Sequence, residues 1–293
     1  MKLATFTRNS RTGVGVVEDD QIIDLATADA GLPTDLMALL QGGEDALSKV
    51  RAAARRARRH PLADVHLEAP ILSPRKFLAL GLSFKAHVEE IRAKGVPITI
   101  PPHQVWFNKQ VTAINGPYDP IHLPRVSSQL DYEGELAVVI GRRGRHVRKA
   151  DAASYIAGFM ICNDVSVRDW QLRSPTAMLG KSFDTHGPTG PWLTTPDELA
   201  NPENVRIRTW VDGELRQDGN TNDFIYSLGE MIEELSTVFT LEPGDILSTG
   251  CPAGVGALMN PPRFLTAGQT VRVELDGLGY IENRVIEEPL VES

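Results

Sequence analysis

Two glutamates separated by one residue form the most chemically informative pattern in the sequence. Glu133 and Glu135 lie within residues 130–140, a mostly apolar run that predicts a strand. Side chains two residues apart project from the same face of a strand, here together with Ala137 and Val139. Like charges about 5–7 Å apart repel by roughly 2–3 kcal/mol, which a divalent cation between them would offset. A solvated edge strand whose glutamates face water is the alternative.

A third acid and a lysine follow along the chain. Asp164 comes at the end of the apolar run 156–163, which predicts a buried strand. Three carboxylates would give an all-oxygen ligand set, which favours magnesium, manganese or calcium over zinc or copper. Asp164 could instead cap the following turn, or pair with Arg168 or Lys181. Lys181 lies in a segment bounded by Gly and Pro and could point inward, although a solvated lysine is the alternative.

His87 and Glu90 have the spacing of a proton-transfer pair. On a helix, residues at i and i+3 share a face, so the imidazole and the carboxylate could share a proton. An incidental surface pair is the alternative.

Composition excludes several classes of protein. The chain has 293 residues, 42% hydrophobic and 23% charged, which is ordinary for a globular protein. A formal net charge of −8 argues against nucleic-acid binding, and no apolar run reaches transmembrane length. Cys162 and Cys251 form no C-x-x-C pair, so reduced thiols and a cytoplasmic location are expected, because no secretory signal opens the chain. Walker, G-x-G-x-x-G, G-x-S-x-G and H-E-x-x-H motifs are absent.

The elements that must position these residues are mainly short strands. Alternating residues 1–25 predict a small antiparallel meander, and residues 34–60 predict helix broken at Gly42-Gly43. Prolines near residue 70 suggest a boundary between a small N-terminal α+β domain, 1–70, and a β-rich domain, 71–293. Asp212-Gly213 and Asp276-Gly277 each predict a hairpin turn, and the spacing of Ser227 and Glu230 predicts a helix start.

Taken in chain order, six sequence motifs resemble those of the fumarylacetoacetate hydrolase family, and the resemblance covers about residues 70–286. The six motifs that carry the resemblance are residues 81–90, 107–109, 131–141, 163–171, 180–185 and 249–256. The length and the small N-terminal domain resemble family members of about 290–310 residues. The resemblance implies an α+β, β-rich fold with a mixed β-roll catalytic domain, a homodimer, and a small oxo-acid substrate.

The resemblance also implies the roles of individual residues. Glu133, Glu135 and Asp164 are expected to hold one Mg²⁺ or Mn²⁺ per subunit, with Ca²⁺ as an alternative, and His87, Glu90 and Lys181 are expected to be catalytic. The expected substrate-binding residues are Lys109, Arg168, Gln171, Gly250 and Cys251. Cys251 stands where the family usually has threonine, and Gly134 where it usually has a branched residue.

The function expected from these residues is metal-dependent hydrolysis of a C–C bond in a 2,4-dioxo acid. In this hypothesis His87, oriented by Glu90, activates water, and Lys181 stabilises the enolate that forms. The first alternative keeps the enolate and omits the water, which would give oxaloacetate decarboxylation, tautomerisation, or isomerisation of an unsaturated 2-oxo diacid. The second alternative is a binding protein without catalysis.

Overall fold

The computed structural model describes residues 1–29 and 31–290. Its strands are β1 Lys2–Arg8, β2 Arg11–Glu18, β3 Gln21–Asp24, β4 Arg58–Pro61, β5 His66–Leu67, β6 Phe77–Gly81, β7 Val105–Lys109, β8 Ile114–Asn115, β9 Ile121–Leu123, β10 Leu130–Asp131, β11 Gly134–Ile140, β12 Ile156–Asn163, β13 Ser166–Val167, β14 Gly187–Thr194, β15 Arg206–Val211, β16 Glu214–Asn220, β17 Ile246–Ser248, β18 Thr270–Leu275 and β19 Gly279–Glu287. Its α-helices are α1 Leu36–Gln41, α2 Gly43–Ala54, α3 Lys85–Ala93, α4 Arg168–Gln171, α5 Met178–Lys181 and α6 Leu228–Val238. Within these residues, no helix is both long and apolar enough to cross a membrane.

Three sheets organise residues 1–29 and 31–290, which confirms the β-rich α+β prediction. Twelve strands form the largest sheet, in the order β4-β3-β2-β1-β14-β12-β11-β17-β6-β7, with β5 beside β1 and β8 beside β14. Five strands form a second sheet, in the order β16-β15-β18-β19-β9, and β10 pairs with β13. The sheets are mixed, because β17 pairs with β6 and β19 with β9 in parallel while the main pairs are antiparallel.

The N-terminal strands belong to the same sheet as the rest of the chain. Strand β1 pairs with β14 at Lys2↔Thr194 and Leu3↔Leu193. One apolar cluster contains Leu3 from β1 together with Ala137 and Met160 from β11 and β12. The division at residue 70 stays a prediction, and the two segments on either side of it share both hydrogen bonds and core.

Alternation along β11 separates two cores, as its sequence predicts. Leu136, Val138 and Ile140 pack in the cluster that faces the five-stranded sheet, whereas Ala137 and Val139 pack in the N-terminal cluster. All seven residues of β11 are buried, so the alternative of a solvated edge strand is wrong.

Several local predictions are confirmed. The N-terminal meander is formed by β1, β2 and β3. Asp212-Gly213 connects β15 and β16 with Val211 opposite Glu214. Helix α6 begins with the predicted capping box, in which Ser227 and Glu230 exchange hydrogen bonds.

Three other local predictions are wrong. The helix predicted to reach His60 ends at Ala54, because Arg58–Pro61 pairs with β3 as a strand instead. The predicted strand over 130–140 is interrupted at residues 132 and 133, where the backbone leaves the ladder between β10 and β11. The last hairpin turn is one residue longer than predicted, since Leu275 lies opposite Gly279.

Candidate active site

The three predicted acidic ligands lie where β11 begins and β12 ends. These strands are antiparallel, with Gly134 opposite Asn163, so the start of one meets the end of the other. Glu133 lies in the break before β11, where its backbone N–H donates to Asn163 Oδ1 at 3.0 Å. The backbone N–H of Asp164 donates to the Glu133 carbonyl at 2.9 Å. Chain pairing therefore brings together acids that are about thirty residues apart in sequence.

Two lysines and an arginine surround these carboxylates. The Lys181 ammonium donates to Glu133 Oε2 at 2.7 Å and to Asp164 Oδ2 at 2.8 Å. Lys109 Nζ donates to Asp164 Oδ1 at 2.6 Å and also to the backbone carbonyl of Lys181. Arg168 donates to Glu133 Oε1 at 2.5 Å. Glu133 and Asp164 are thus each paired with two cations.

Lys181 reaches the carboxylates because two short helices are in close contact. Gly180 in α5 packs directly on the backbone of Gln171 in α4, and a Cβ at Gly180 would overlap the Gln171 nitrogen. The contact brings Lys181 next to Arg168 and Gln171, which are themselves joined by a hydrogen bond of 3.0 Å. The small residue before Lys181 therefore sets the position of the lysine.

Glu135 has a different environment from the other two acids. Its Oε2 accepts hydrogen bonds from the Ser248 hydroxyl at 2.5 Å and the Gly250 N–H at 2.9 Å, both neutral donors. No lysine or arginine within the described residues forms an ion pair with it. Burial, together with the charges of Asp164 and Glu133, raises the pKa of Glu135 well above its usual range.

The neighbouring charges act in the opposite direction on Glu133 and Lys181. Burial would raise the pKa of Glu133, but Lys181 and Arg168 lower it to about 2. Burial would lower the pKa of Lys181, but Asp164 and Glu133 raise it above its ordinary value. Glu133 is therefore ionised and Lys181 protonated at neutral pH.

These residues fit a divalent cation. Glu133, Glu135 and Cys251 each offer a donor atom, and the three atoms lie within 4.8 Å of one another in a buried cluster. Glu135 lacks a cationic partner among the described residues, so a cation there would offset the repulsion that raises its pKa. The third predicted ligand, Asp164, lies outside this cluster, because its two carboxylate oxygens accept hydrogen bonds from Lys109 and Lys181.

Helix α3 carries the predicted proton-transfer pair. His87 Nδ1 lies 3.0 Å from Glu90 Oε2, so the two side chains share a hydrogen bond across one turn. The other carboxylate oxygen of Glu90 accepts the Gly254 N–H at 2.9 Å, which ties α3 to the segment after β17. His87 is mostly buried, with 13% of its side chain exposed, so an incidental surface pair does not describe this arrangement.

One cavity of about 490 Å³ brings most of the predicted residues together. The predicted residues that line it are His87, Glu133, Glu135, Arg168, Gln171, Lys181 and Cys251. Four predicted residues do not line it: Glu90, Lys109, Asp164 and Gly250.

Two of the residues that do not line the cavity, Lys109 and Gly250, were predicted to bind substrate, and in this structure they contact acids of the site. Lys109 is buried behind Asp164, where its ammonium is fully used by protein oxygens. Gly250 faces Glu135 with its N–H. Both residues position acids of the site and have no contact with the cavity.

Sequence reasoning missed three residues that hold the site in place. Asp131 accepts from Arg168 Nε at 2.9 Å and from the N–H groups of Gly256 and Ala257. The Ser248 hydroxyl donates to the Glu135 carboxylate, and Asn163 Oδ1 accepts from the Glu133 backbone N–H. Asp131 and Asn163 lie inside the motifs named above, but their types alone carry no signal for a supporting role.

Comparison with known proteins agrees with this fold. The family model described as fumarylacetoacetate (FAA) hydrolase C-terminal matches residues 76–286, and one described as Rv2993c-like, N-terminal matches residues 1–70. The chain belongs to the fumarylacetoacetate hydrolase family, as the six motifs predicted.

Individual relatives are similar over nearly their whole length. The mitochondrial oxaloacetate tautomerase Fahd2a of Rattus norvegicus is 41% identical over 267 residues, 90% of this chain and 84% of that protein. The oxaloacetate tautomerase YisK of Bacillus subtilis is 37% identical over 97% of this chain and all of that protein. Maleylpyruvate hydrolase from Sphingobium sp. SYK-6, solved with manganese(II) and pyruvate, is 32% identical, with a TM-score of 0.82 over 99% of this chain and 100% of that one.

Proposed function

We propose that this protein is a divalent-metal-dependent keto–enol tautomerase of 2-oxo acids, with oxaloacetate as the first substrate to assay. The proposal depends on one observation: the His87–Glu90 pair and the cluster of carboxylates with Lys181 line the same cavity or directly support its wall. One group can move a proton and the other can stabilise an enolate. Relatives of similar length, from Rattus norvegicus and Bacillus subtilis, are named oxaloacetate tautomerases, which supports the choice.

Glu133, Glu135 and Asp164 would hold the cation. When bound, a divalent cation supplies Lewis-acid stabilisation of negative charge on the 2-oxo oxygen. Lys181 adds a fixed positive charge beside the same acids and stays protonated, so it stabilises the enolate oxygen without giving up its proton.

His87 moves the proton. With Nδ1 held by Glu90, the other ring nitrogen, Nε2, is the one available to substrate in the cavity. Nε2 takes a proton from C3 of the keto form, the C–H electron pair forms the C2=C3 bond, and the 2-oxo oxygen takes the charge. Return of that proton to the oxygen gives the enol, and the reverse sequence gives the ketone. Glu90 stabilises the imidazolium formed between the two steps.

The experiment is to follow oxaloacetate ketonisation by the enol absorbance, with Mg²⁺ or Mn²⁺, for wild type and His87→Gln. We expect the variant to lose roughly 10²–10⁴ in kcat, the usual contribution of general acid–base catalysis. His103→Gln, at an exposed histidine outside the cavity, is the matched control and should keep full activity. Unchanged catalysis in His87→Gln would remove His87 from the reaction.

A second function, hydrolysis of a 2,4-dioxo acid, is favoured by the same His87–Glu90 pair, because a base held by a carboxylate can equally activate water. The structural likeness to maleylpyruvate hydrolase supports this alternative. Incubation with acylpyruvates in ¹⁸O-labelled water separates the two functions. A hydrolase yields pyruvate and an acid that contains the label, whereas a tautomerase yields no cleavage product.

A further inference from the structure

The cavity has two ends of different chemistry. Its inner end holds the charged residues of the site, Glu133, Glu135, Arg168 and Lys181. Its outer wall, as we call it here, consists of five apolar residues that are partly or largely exposed: Ile91, Val96, Leu172, Leu258 and Phe264. A volume of about 490 Å³ is within the range of cavities that bind drug-sized ligands, and a four-carbon acid would fill only the inner part.

A second carboxylate on the substrate would find no unpaired cation along the outer wall. Among the described residues that line the cavity, the basic side chains are His87, Arg168 and Lys181. Glu90 binds His87, and Glu133 binds both Arg168 and Lys181. An anionic group placed against the outer wall would therefore lose part of its hydration without gaining a cationic partner.

Two residues of the outer wall are unusually exposed for large apolar side chains. Leu172, just after α4, is 83% exposed, and Val96, just after α3, is 49% exposed. They lie on different segments that border the same cavity, so their exposure is not that of scattered surface residues. An apolar group bound in the cavity would cover them.

We propose that the substrate is a 2-oxo or 2,4-dioxo acid whose remote end is uncharged and apolar, in preference to a diacid. The inference rests on the proposed function for the position of the acid head at the inner end. It goes further by assigning the outer wall to an alkyl or aryl substituent. Oxaloacetate remains a substrate through its head, and an apolar substituent adds affinity beyond it.

The test uses N-alkyl oxamates, which carry the 2-oxo acid head but are not turned over. Binding of N-methyl, N-propyl and N-hexyl oxamate is measured by calorimetry on the Mn²⁺-loaded protein, with N-oxalylglycine as the dicarboxylate analogue. Affinity should rise by about two- to fourfold for each methylene that becomes buried, and N-oxalylglycine should bind more weakly than N-propyl oxamate. Affinity that does not depend on chain length, or tightest binding of N-oxalylglycine, would overturn the proposal.

Substitutions in the outer wall test its role directly. Leu172→Arg should reduce the gain in oxamate affinity per methylene and should strengthen binding of N-oxalylglycine. Leu172→Asn should reduce the same gain in affinity without strengthening the binding of N-oxalylglycine. Val238→Arg is the matched control, because Val238 is 68% exposed but lies outside the cavity.

The outcomes separate this inference from the proposed function. If no oxamate binds, the 2-oxo acid head is wrong and the proposed function fails together with the inference. If all the oxamates bind equally, only the apolar substituent is wrong. If Leu172→Arg changes the oligomeric state in size-exclusion chromatography but keeps the chain-length dependence, Leu172 contacts a second copy and the inference is also overturned.

Discussion

At the scale of single residues, the acids of the site differ in how their charge is balanced. Glu133 and Asp164 each have two cationic partners, whereas Glu135 is held only by the Ser248 hydroxyl and the Gly250 N–H among the described residues. Glu135 is therefore the acid whose ionisation most needs an added cation.

Replacement of Glu135 by glutamine should separate cation binding from folding. The amide oxygen can still accept from Ser248 and Gly250, so we expect the free energy of unfolding to stay the same or rise. Loss of the charge should weaken Mn²⁺ binding by roughly 100-fold or more, measured by calorimetry. Glu44→Gln, at a 71% exposed glutamate, is the control. Equal Mn²⁺ affinity in both variants would exclude Glu135 as a ligand.

A second residue-scale prediction concerns His186, which is fully buried outside the cavity. Its Nε2 lies 2.8 Å from the His122 carbonyl, and its Nδ1 has no hydrogen-bond partner among the described residues. Burial lowers the pKa of His186 to about 3, so the folded protein keeps it neutral while the unfolded chain takes up a proton below about pH 6.5. Stability is therefore lost as the pH falls from about 6.5 towards 3.

Urea unfolding at several pH values tests whether the free energy of unfolding falls as the pH falls. From pH 8 to pH 5 the His186 contribution should lower the free energy of unfolding by about 2 kcal/mol. His186→Gln should lose that part of the pH dependence, whereas His103→Gln, at an exposed position, should keep it. A wild-type pH profile that His186→Gln leaves unchanged would contradict the prediction.

At the scale of elements, β11 supports the site, because both of its faces pack against other parts of the protein. Its alternation and its two glutamates were readable in the sequence, because strand geometry fixes which side chains share a face. The interruption of the strand at Glu133 could not be predicted from the sequence, because it depends on hydrogen bonds with Asn163 and Asp164 at the end of β12. Likewise, Lys109 was recognised by its motif, but its burial behind Asp164 depends on tertiary packing.

Gly134 in β11 gives a prediction at this scale. A Cβ at this position would overlap the Thr209 hydroxyl of β15 and lie 2.9 Å from Val273 Cγ1 of β18, so the five-stranded sheet packs directly on the glycine. Gly134→Ala should lower the free energy of unfolding by about 1–3 kcal/mol through overpacking.

Chemical denaturation of a double-mutant cycle measures whether this contact is the cause. Thr209→Ala removes the nearest atom, so the double variant should be more stable than the sum of the two single changes. Simple additivity would show that the loss in Gly134→Ala comes from the strand itself.

At the scale of the whole molecule, the sheet that carries Glu135 begins in the N-terminal segment. Strand β1 covers the edge of β14, and Leu3 packs in one cluster with Ala137 and Met160. The hydrophobic pattern showed the N-terminal meander but not its partner, because pairing between residues nearly 200 positions apart leaves no local signal.

Removal of residues 1–70 should therefore prevent correct folding of the remainder. The fragment 71–293 would expose the edge of β14 and apolar side chains such as Leu193, Ala137 and Met160, which are fully buried in the chain. We expect an insoluble fragment that co-expression with residues 1–70 rescues, and a single calorimetric unfolding transition for the full chain. A soluble fragment with full activity would contradict this expectation.

The pairing of β1 with β14 also limits how such proteins can be recombined. Two family models meet near residue 70, which suggests modules that could be exchanged freely between relatives. The shared ladder makes them interdependent, because a transplanted N-terminal segment must match the register and side chains of the strand that receives it. A chimera would need β14 and its underlying core from the same donor as β1.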